Sequence, residues 1–436
     1  MAPAEEDTPL PEGVERTELD GGVRVVTESM PWVRSVALGL WVRTGSRDEH
    51  PGQAGVSHFL EHLLFKGTER YSAIEISELF DGLGASTNAA TSKESTHLYA
   101  RLLDVHTEEA LDLLAEMLLG PTYPEVDSER QVVLEEIAMY EDEPQDRVHD
   151  VLADAVFGDH PLGRRVIGEA DVIASIPVPK IAEYHAERYV GRNIVVSAAG
   201  HVDHEQVVEL ARKHVAAPRG AASANGAGEQ AGAERAPRVC FYEKKTEQYH
   251  VCLGAPGIRR GDDRRFALGI ANAVLGGSTS SRLFREVREK RGLAYAVGSY
   301  SDEYIDNGLV ATYVGTREEN VAEALDVIGT ELASVASAGV SDEELVRAKE
   351  HIKGRMVLGL ESSSARMSRI ARATMYEVPL LSLDELLARV DSVDGDEVAA
   401  IAAELYDPSR FSAAAVGTDE DLFRKALEPV SPALAA

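Results

Sequence analysis

The stretch EEALDLLAEMLLGPTYPEVDSERQVVLEEI (108–137) has a counterpart in AEALDVIGTELASVASAGVSDEELVRAKEHI (322–352). EALD stands at 109–112 and again at 323–326, an offset of 214 residues. Each copy continues as an amphipathic helix, a turn and a second helix opened by acidic residues. Two long copies point to duplication of a domain rather than to a solenoid of many short units. Each half also opens on alternating strands, VRVVTE and SVALGLWVRTG in the first, RVCFYEKK and YHVCLGAPG in the second. Strand pairs followed by helices predict an α+β fold of two homologous domains, each with helices packed on a mostly antiparallel sheet. The expected spans are 14–216 and 239–436. They are joined by APRGAASANGAGEQAGAERAPR (217–238), whose Ala, Gly, Ser and charge without apolar periodicity read as a flexible linker.

Composition narrows the functional classes. Acidic residues outnumber basic ones 74 to 44, a net charge of −30, so no basic stripe is available to meet nucleic-acid phosphates. The charge fits general solubility, and it equally fits an acidic cavity that draws in basic peptides. The most apolar runs are strand-length, too short to span a membrane. The opening MAPAEEDTPLPEG has neither a secretory nor a transit pattern, so a cytoplasmic protein is expected. The two cysteines, Cys240 and Cys252, read as buried thiols, although a hairpin could bring them close. With no Cys-x-x-Cys pair, a thiolate zinc site is excluded.

The stretch AGVSHFLEHLLFKGT carries the clearest chemistry. Val56, Phe59, Leu60, Leu63 and Leu64 make one apolar helical face, while His58 and His62, four apart, project together. Two neutral imidazoles suit Zn²⁺ and leave room for a third ligand and a water. Glu61 lies on the flank, where it could act on that water as a base. Histidine pairs also occur on ordinary helix faces; the intervening glutamate and the apolar neighbours favour the metal reading. A third ligand has to come from elsewhere. The helix from Val126 to about Glu141 places Glu129 and Glu136 two turns apart on one face, with Val132, Val133 and Ile137 on its core side. The duplication acts as an internal control. His58, Glu61 and His62 correspond to Asn272, Leu275 and Gly276, and, with one inserted residue, Glu136 corresponds to His351. The second copy keeps the scaffold without the chemistry, so the fold does not require these residues.

His-x-x-Glu-His is the inverzincin order, and the chain around it resembles the pitrilysin-type zinc peptidases, in particular their mitochondrial processing peptidase-like branch in its bacterial single-subunit form. The matching blocks are HFLEHLLFKGT, LGASTNAATSKESTHLYA (83–100), ERQVVLEEI, HPLGRRVIG (160–168) and SSRLFREVREKRGLAYAVGSY (280–300). The resemblance spans about Gly21 to Gly417.

The resemblance implies one Zn²⁺ per chain on His58, His62 and Glu136. Glu61 would be the general base, and Glu129 would support the ligands from behind. GASTNAAT matches a substrate-binding edge strand, to which an extended peptide adds through main-chain hydrogen bonds, with Asn88 and Ala89 in contact. Arg288 and Tyr295 match a pair that stabilises the oxyanion. The family implies half of a clamshell, completed by a second chain whose Arg/Tyr pair faces the first chain's zinc. Because one chain carries both elements, a homodimer with composite sites is the simplest expectation. The expected activity is zinc-dependent endopeptidase cleavage of unfolded peptides or short precursor segments inside an enclosed chamber. The alternatives are a zinc-bearing subunit with an inactive partner, or a non-catalytic core subunit, which would have lost the zinc motif.

Overall fold

A computed structural model describes residues 9–215 and 236–435. The expected linker, 217–238, lies outside them except for its last three residues. The described residues form two mixed sheets. The first contains β1 (Val14–Glu18), β2 (Arg24–Ser29), β3 (Ser35–Val42), β4 (Ser86–Thr91), β5 (Thr96–Leu103) and β6 (Ile194–Gly200), in the order β1-β2-β6-β3-β5-β4. The second contains β7 (Val239–Glu243), β8 (Tyr249–Pro256), β9 (Ala294–Glu303), β10 (Gly308–Thr316) and β11 (Ser412–Gly417), in the order β7-β11-β8-β10-β9. In each sheet one neighbouring pair is parallel, β2 with β6 and β7 with β11, and all other pairs are antiparallel. The expected α+β class of two homologous domains is what the chain adopts.

Burial follows position in the sheet. The central strands β3 and β6 are apolar almost throughout and buried on both faces, as strands covered on two sides must be. β4 and β9 end their sheets, and each is largely polar or partly exposed along its length. Cys240 and Cys252 are free thiols, the second fully buried. No described helix is long and apolar enough to cross a membrane.

The two compact units do not follow chain order. Among the described residues, one gathers 9–137, 165–215 and 357–382; the other gathers 138–164, 236–356 and 383–435. Each unit thus takes a helix from the other half's stretch of chain. In the first unit, Met367, Ile370, Ala371 and Met375 of the helix Ser363–Tyr376 pack on Val26, Ala37, Trp41, Val195 and Ala199. In the second, Val148, Val151, Leu152 and Val156 of the helix Pro144–Phe157 pack on Cys252, Leu309, Ala311, Ala414 and Val416. Contiguous spans read from the sequence cannot display this exchange, because an amphipathic helix does not specify which sheet covers it.

A pair of glycines makes room for the exchanged helices. A Cβ on Gly39 of β3 would stand 2.7 Å from Sδ of Met367, and one on Gly254 of β8 would stand 2.9 Å from Cδ2 of Leu152. The helices approach the strands at positions where no side chain intervenes. Leu152 is fully buried in this contact. Leu152→Ala should therefore lower stability by about 2–5 kcal/mol, read as a shift of the urea unfolding midpoint.

Candidate metal centre

The HFLEH helix, Val56–Leu63, is fixed at its start. Its cap residue Gly55 has φ 93°, a region open mainly to glycine. A Cβ on Gly55 would lie 2.7 Å from Cα of Gly168, and one on Gly168 would lie 2.3 Å from Cα of Gly55. The two glycines abut, which gives the HPLGRRVIG block a structural purpose. The buried carboxylate of Glu49 accepts the backbone N–H groups of Gly55 and Ser57, each at 2.8 Å. It answers donors that the helix cannot satisfy and puts negative charge at the positive end of the helix dipole. Val56, Phe59, Leu60, Leu63 and Leu64 are all fully buried, as their spacing predicts. His58 and His62 project from the remaining face with ring centroids 4.7 Å apart.

The third donor comes from the helix Val126–Asp142. Arg130 anchors that helix by donating to the carbonyl oxygens of Ile173 and Ile176, and its guanidinium lies 5.4 Å from the centroid of the Phe59 ring. Val133 and Ile137 are buried, whereas Val132 is 50% exposed, which corrects its expected place on the core side. Neighbouring residues point about 100° apart around a helix, so Val132 and Val133 cannot share one narrow face.

Oε2 of Glu136 lies 3.3 Å from Nε2 of His62 and 3.6 Å from Nε2 of His58. Donor atoms of the three residues all fall within 4.8 Å of one another, and no other group of three such side chains does so among the described residues. A tetrahedral zinc with ligands at about 2.0–2.1 Å separates its donor atoms by about 3.3 Å. The cradle fits that ion.

The surrounding groups prepare the imidazoles for it. Oε1 of Glu129 lies 2.9 Å from Nδ1 of His62. An ionised carboxylate only accepts, so Nδ1 carries a hydrogen and Nε2 is the nitrogen left for an ion. The other oxygen of Glu129 meets the Lys66 ammonium at 2.6 Å. Glu129 is buried between the two. Burial, reinforced by the charge of His62, pushes the pKa of His58 down to about 4 and keeps its ring neutral, the ligating form. His62 behaves oppositely: burial opposes its charge, but hydrogen bonds to Glu136 and Glu129 outweigh that and raise its pKa. The hydrogen bond to His62 leads the effects that lower the pKa of Glu136. Nδ1 of His58 is buried and has no hydrogen-bond partner among the described residues.

Glu61 sits beside this cradle. Burial raises its pKa, against an opposing hydrogen bond from Thr91, whose Oγ1 donates to Oε2 at 2.5 Å. Asn88 and Ala89 lie on β4, the edge strand of the sheet, where Oδ1 of Asn88 accepts the N–H of Ala89 at 2.9 Å. In the second unit, Arg288 belongs to a stretch wound as a π-helix, Phe284–Lys290, a distortion that often accompanies functional positions. Its guanidinium stands 4.1 Å from the centroid of the Tyr295 ring and donates to the Tyr295 carbonyl oxygen at 3.1 Å. The Tyr295 side chain is well exposed at 76%. Sequence reasoning missed Glu49, Lys66 and Thr91. All three lie within or beside the quoted blocks, but only tertiary contacts give them roles.

Asn272 and His351 line one groove of the second unit, as the internal alignment of the two halves implies. There Oγ of Ser299 donates to Oδ1 of Asn272 at 2.6 Å. Leu275 is buried, and Gly276 ends its helix.

A duplicated α+β chain with two histidines on one helix and a glutamate from another has the build of a zinc peptidase. Comparison with known families agrees. Residues 24–170 match the insulinase model of peptidase family M16, and residues 175–352 match the model described as the peptidase M16 inactive domain. The chain belongs to peptidase family M16. It is 45% identical over 400 residues to an uncharacterized zinc protease of Streptomyces coelicolor, covering 90% of this chain and 87% of that one. It is 40% identical to the zinc protease YmxG of Bacillus subtilis, covering 90% and 96%. Among solved structures, the peptidase M16 inactive domain from Pseudomonas fluorescens superposes with a TM-score of 0.86 at 24% identity, covering 93% of this chain and 98% of that one. A protease from Helicobacter pylori gives 0.84 at 23%, covering 94% and 100%. These structures share the fold.

Glu129 offers the sharpest test of the cradle. Glu129→Gln should weaken zinc binding by about 10- to 100-fold, the usual consequence of losing a partner behind a ligating histidine. Competition with a chromogenic chelator measures it. Unchanged affinity would remove Glu129 from the centre.

Proposed function

We propose that the protein is a zinc-dependent endopeptidase that cleaves unfolded peptides or short precursor segments, with Glu61 as general base. The observation that carries this reading is the convergence of His58, His62 and Glu136 at ligand spacing, with the carboxylate of Glu61 half-buried at their flank. His58, His62 and Glu136 would hold one Zn²⁺, which when bound supplies Lewis acidity. Glu61 takes a proton from the attacking water and returns it to the leaving amine. The free edge of β4, at Asn88 and Ala89, would hold the substrate extended through main-chain hydrogen bonds whatever its side chains.

Arg288 and Tyr295 of a second copy would stabilise negative charge on the scissile carbonyl oxygen. The reading therefore includes a homodimer with two composite sites inside an enclosed chamber. A cytoplasmic location belongs to it as well, and two free cysteines suit a reducing compartment. The net charge of −30 favours basic peptides over acidic ones, a preference that salt should weaken.

Glu61→Gln should keep zinc and lose turnover by about 10²- to 10⁴-fold on a quenched fluorescent peptide; normal cleavage would sink the base assignment. Composite sites can be tested by mixing His58→Ala protein with Tyr295→Phe protein, each nearly inactive alone. Random exchange makes half the dimers mixed, each with one intact site of two, so about a quarter of full activity should return. No recovery after proven exchange would show that each site is built within one chain.

A further inference from the structure

The hydroxyl that touches Glu61 comes from the strand assigned to the substrate. Thr91 is the last residue of β4, and its Oγ1 donates to Oε2 of Glu61 at 2.5 Å. The direction is fixed, because an ionised carboxylate has nothing to donate. Thr91 is itself held in place. It pairs across the ladder with Thr96 of β5, the two hydroxyl oxygens standing 3.5 Å apart. Thr96 is fully buried and donates its proton to the carbonyl oxygen of Thr44 at 3.1 Å. Thr96 thus keeps its own proton engaged elsewhere and leaves that of Thr91 to Glu61. A β-branched side chain on a paired strand has little freedom at χ1, so the donor is rigid. Glutamate on a helix, by contrast, turns about three side-chain bonds.

From this geometry we infer that Thr91 is a positioning residue for the reaction: its hydroxyl holds Oε2 of Glu61, beside a backbone hydrogen bond from the same residue, and ties the base to the substrate-binding strand. The inference rests on the reading of Glu61 as general base. It adds that a single element sets both the register of the bound peptide and the aim of the base. A peptide laid along the β4 edge and the carboxylate that serves it would then move together, so small shifts of the strand would not separate them. Misplacing a catalytic group by about 1 Å can cost on the order of 100-fold in rate, which gives such a tether its purpose.

The test compares Thr91→Val, which keeps the branched shape and removes the donor, with Thr91→Ser, which keeps the donor. Both use the full-length zinc-loaded protein and a quenched fluorescent peptide. Thr91→Val should lower kcat about 10- to 100-fold with KM changed less than about twofold, and with zinc content and melting temperature as in the parent. Thr91→Ser should restore most of the loss. Adding Thr91→Val to Glu61→Gln should cost nothing further, because the two residues act as one unit. A readout independent of turnover is the crystal structure of the Thr91→Val protein, in which the Glu61 carboxylate should leave its parental position. Parental kcat in Thr91→Val while Glu61→Gln is inactive would overturn the Thr91 proposal alone. So would a Thr91→Ser protein as impaired as Thr91→Val, or an unmoved Glu61 in the crystal. A fully active Glu61→Gln protein would overturn the base assignment and this inference together.

Discussion

The 3.3 Å between Nε2 of His62 and Oε2 of Glu136 joins two helices that begin seventy residues apart, and no local rule can set it. Helical periodicity brings His58 and His62 together but stops there. The remaining distance is set by contacts with no chemical role of their own. Glu49 clamps the start of one helix, Gly55 and Gly168 let the chain press against it, and Arg130 ties the other helix to the Ile173–Ile176 segment and to the Phe59 ring. A ligand cradle with tolerances of a few tenths of an ångström needs such rigid backing, because tetrahedral zinc accepts little variation in donor spacing.

The same contacts manage an electrostatic problem. Glu49, Glu129 and the site's own carboxylates lie in or near the interior, where an unpartnered charge is costly. Each buried acid has definite partners: Glu49 has two backbone N–H groups, and Glu129 has His62 and Lys66. The site residues are left unbalanced. His58 is driven neutral by burial while His62 is drawn toward its charged form by two carboxylates. A cation placed among these donors would meet the excess negative charge that now favours protonation of His62. The polarity of the site suits a positive ion, and it follows from the same short contacts that bring the donors together.

How far the sequence could be read depended on how far each contact reached. The duplication, the α+β class, the apolar face of the HFLEH helix and the His/His pair are local or periodic, and all were legible. The strands β2, β3, β7 and β8 fall close to the runs that announced them. Val132 was misplaced because three apolar residues in a short stretch were assigned one face, although its neighbour Val133 took the core. The exchange of helices was invisible for a different reason: Leu152 and Met367 meet strands about a hundred residues or more away, at glycines whose meaning depends on what lies above them. Thr91 and Glu49 were hidden in the same way. Thr91 sits in a block that marked the family and Glu49 shortly before another, yet the partners of each are fixed only by the fold.

The second unit shows what remains when chemistry is removed from this scaffold. Its sheet repeats the order of the first with one strand fewer, and its counterpart groove survives between the same kinds of element, lined by Asn272 and His351. With Asn272 in the place of His58 and His351 in that of Glu136, no three donors lie within reach of one ion among the described residues of this unit. What the second copy gained lies further along the chain. Its Arg288 stands on a π-helical turn, stacked against the exposed ring of Tyr295. Holding an arginine over a neighbouring ring limits the conformations of both, so part of the entropy lost in ordering them is already spent before any ligand arrives. The two copies thus differ at different points of one frame: the first brings His58, His62 and Glu136 within 4.8 Å of one another, and the second sets Arg288 over the exposed ring of Tyr295.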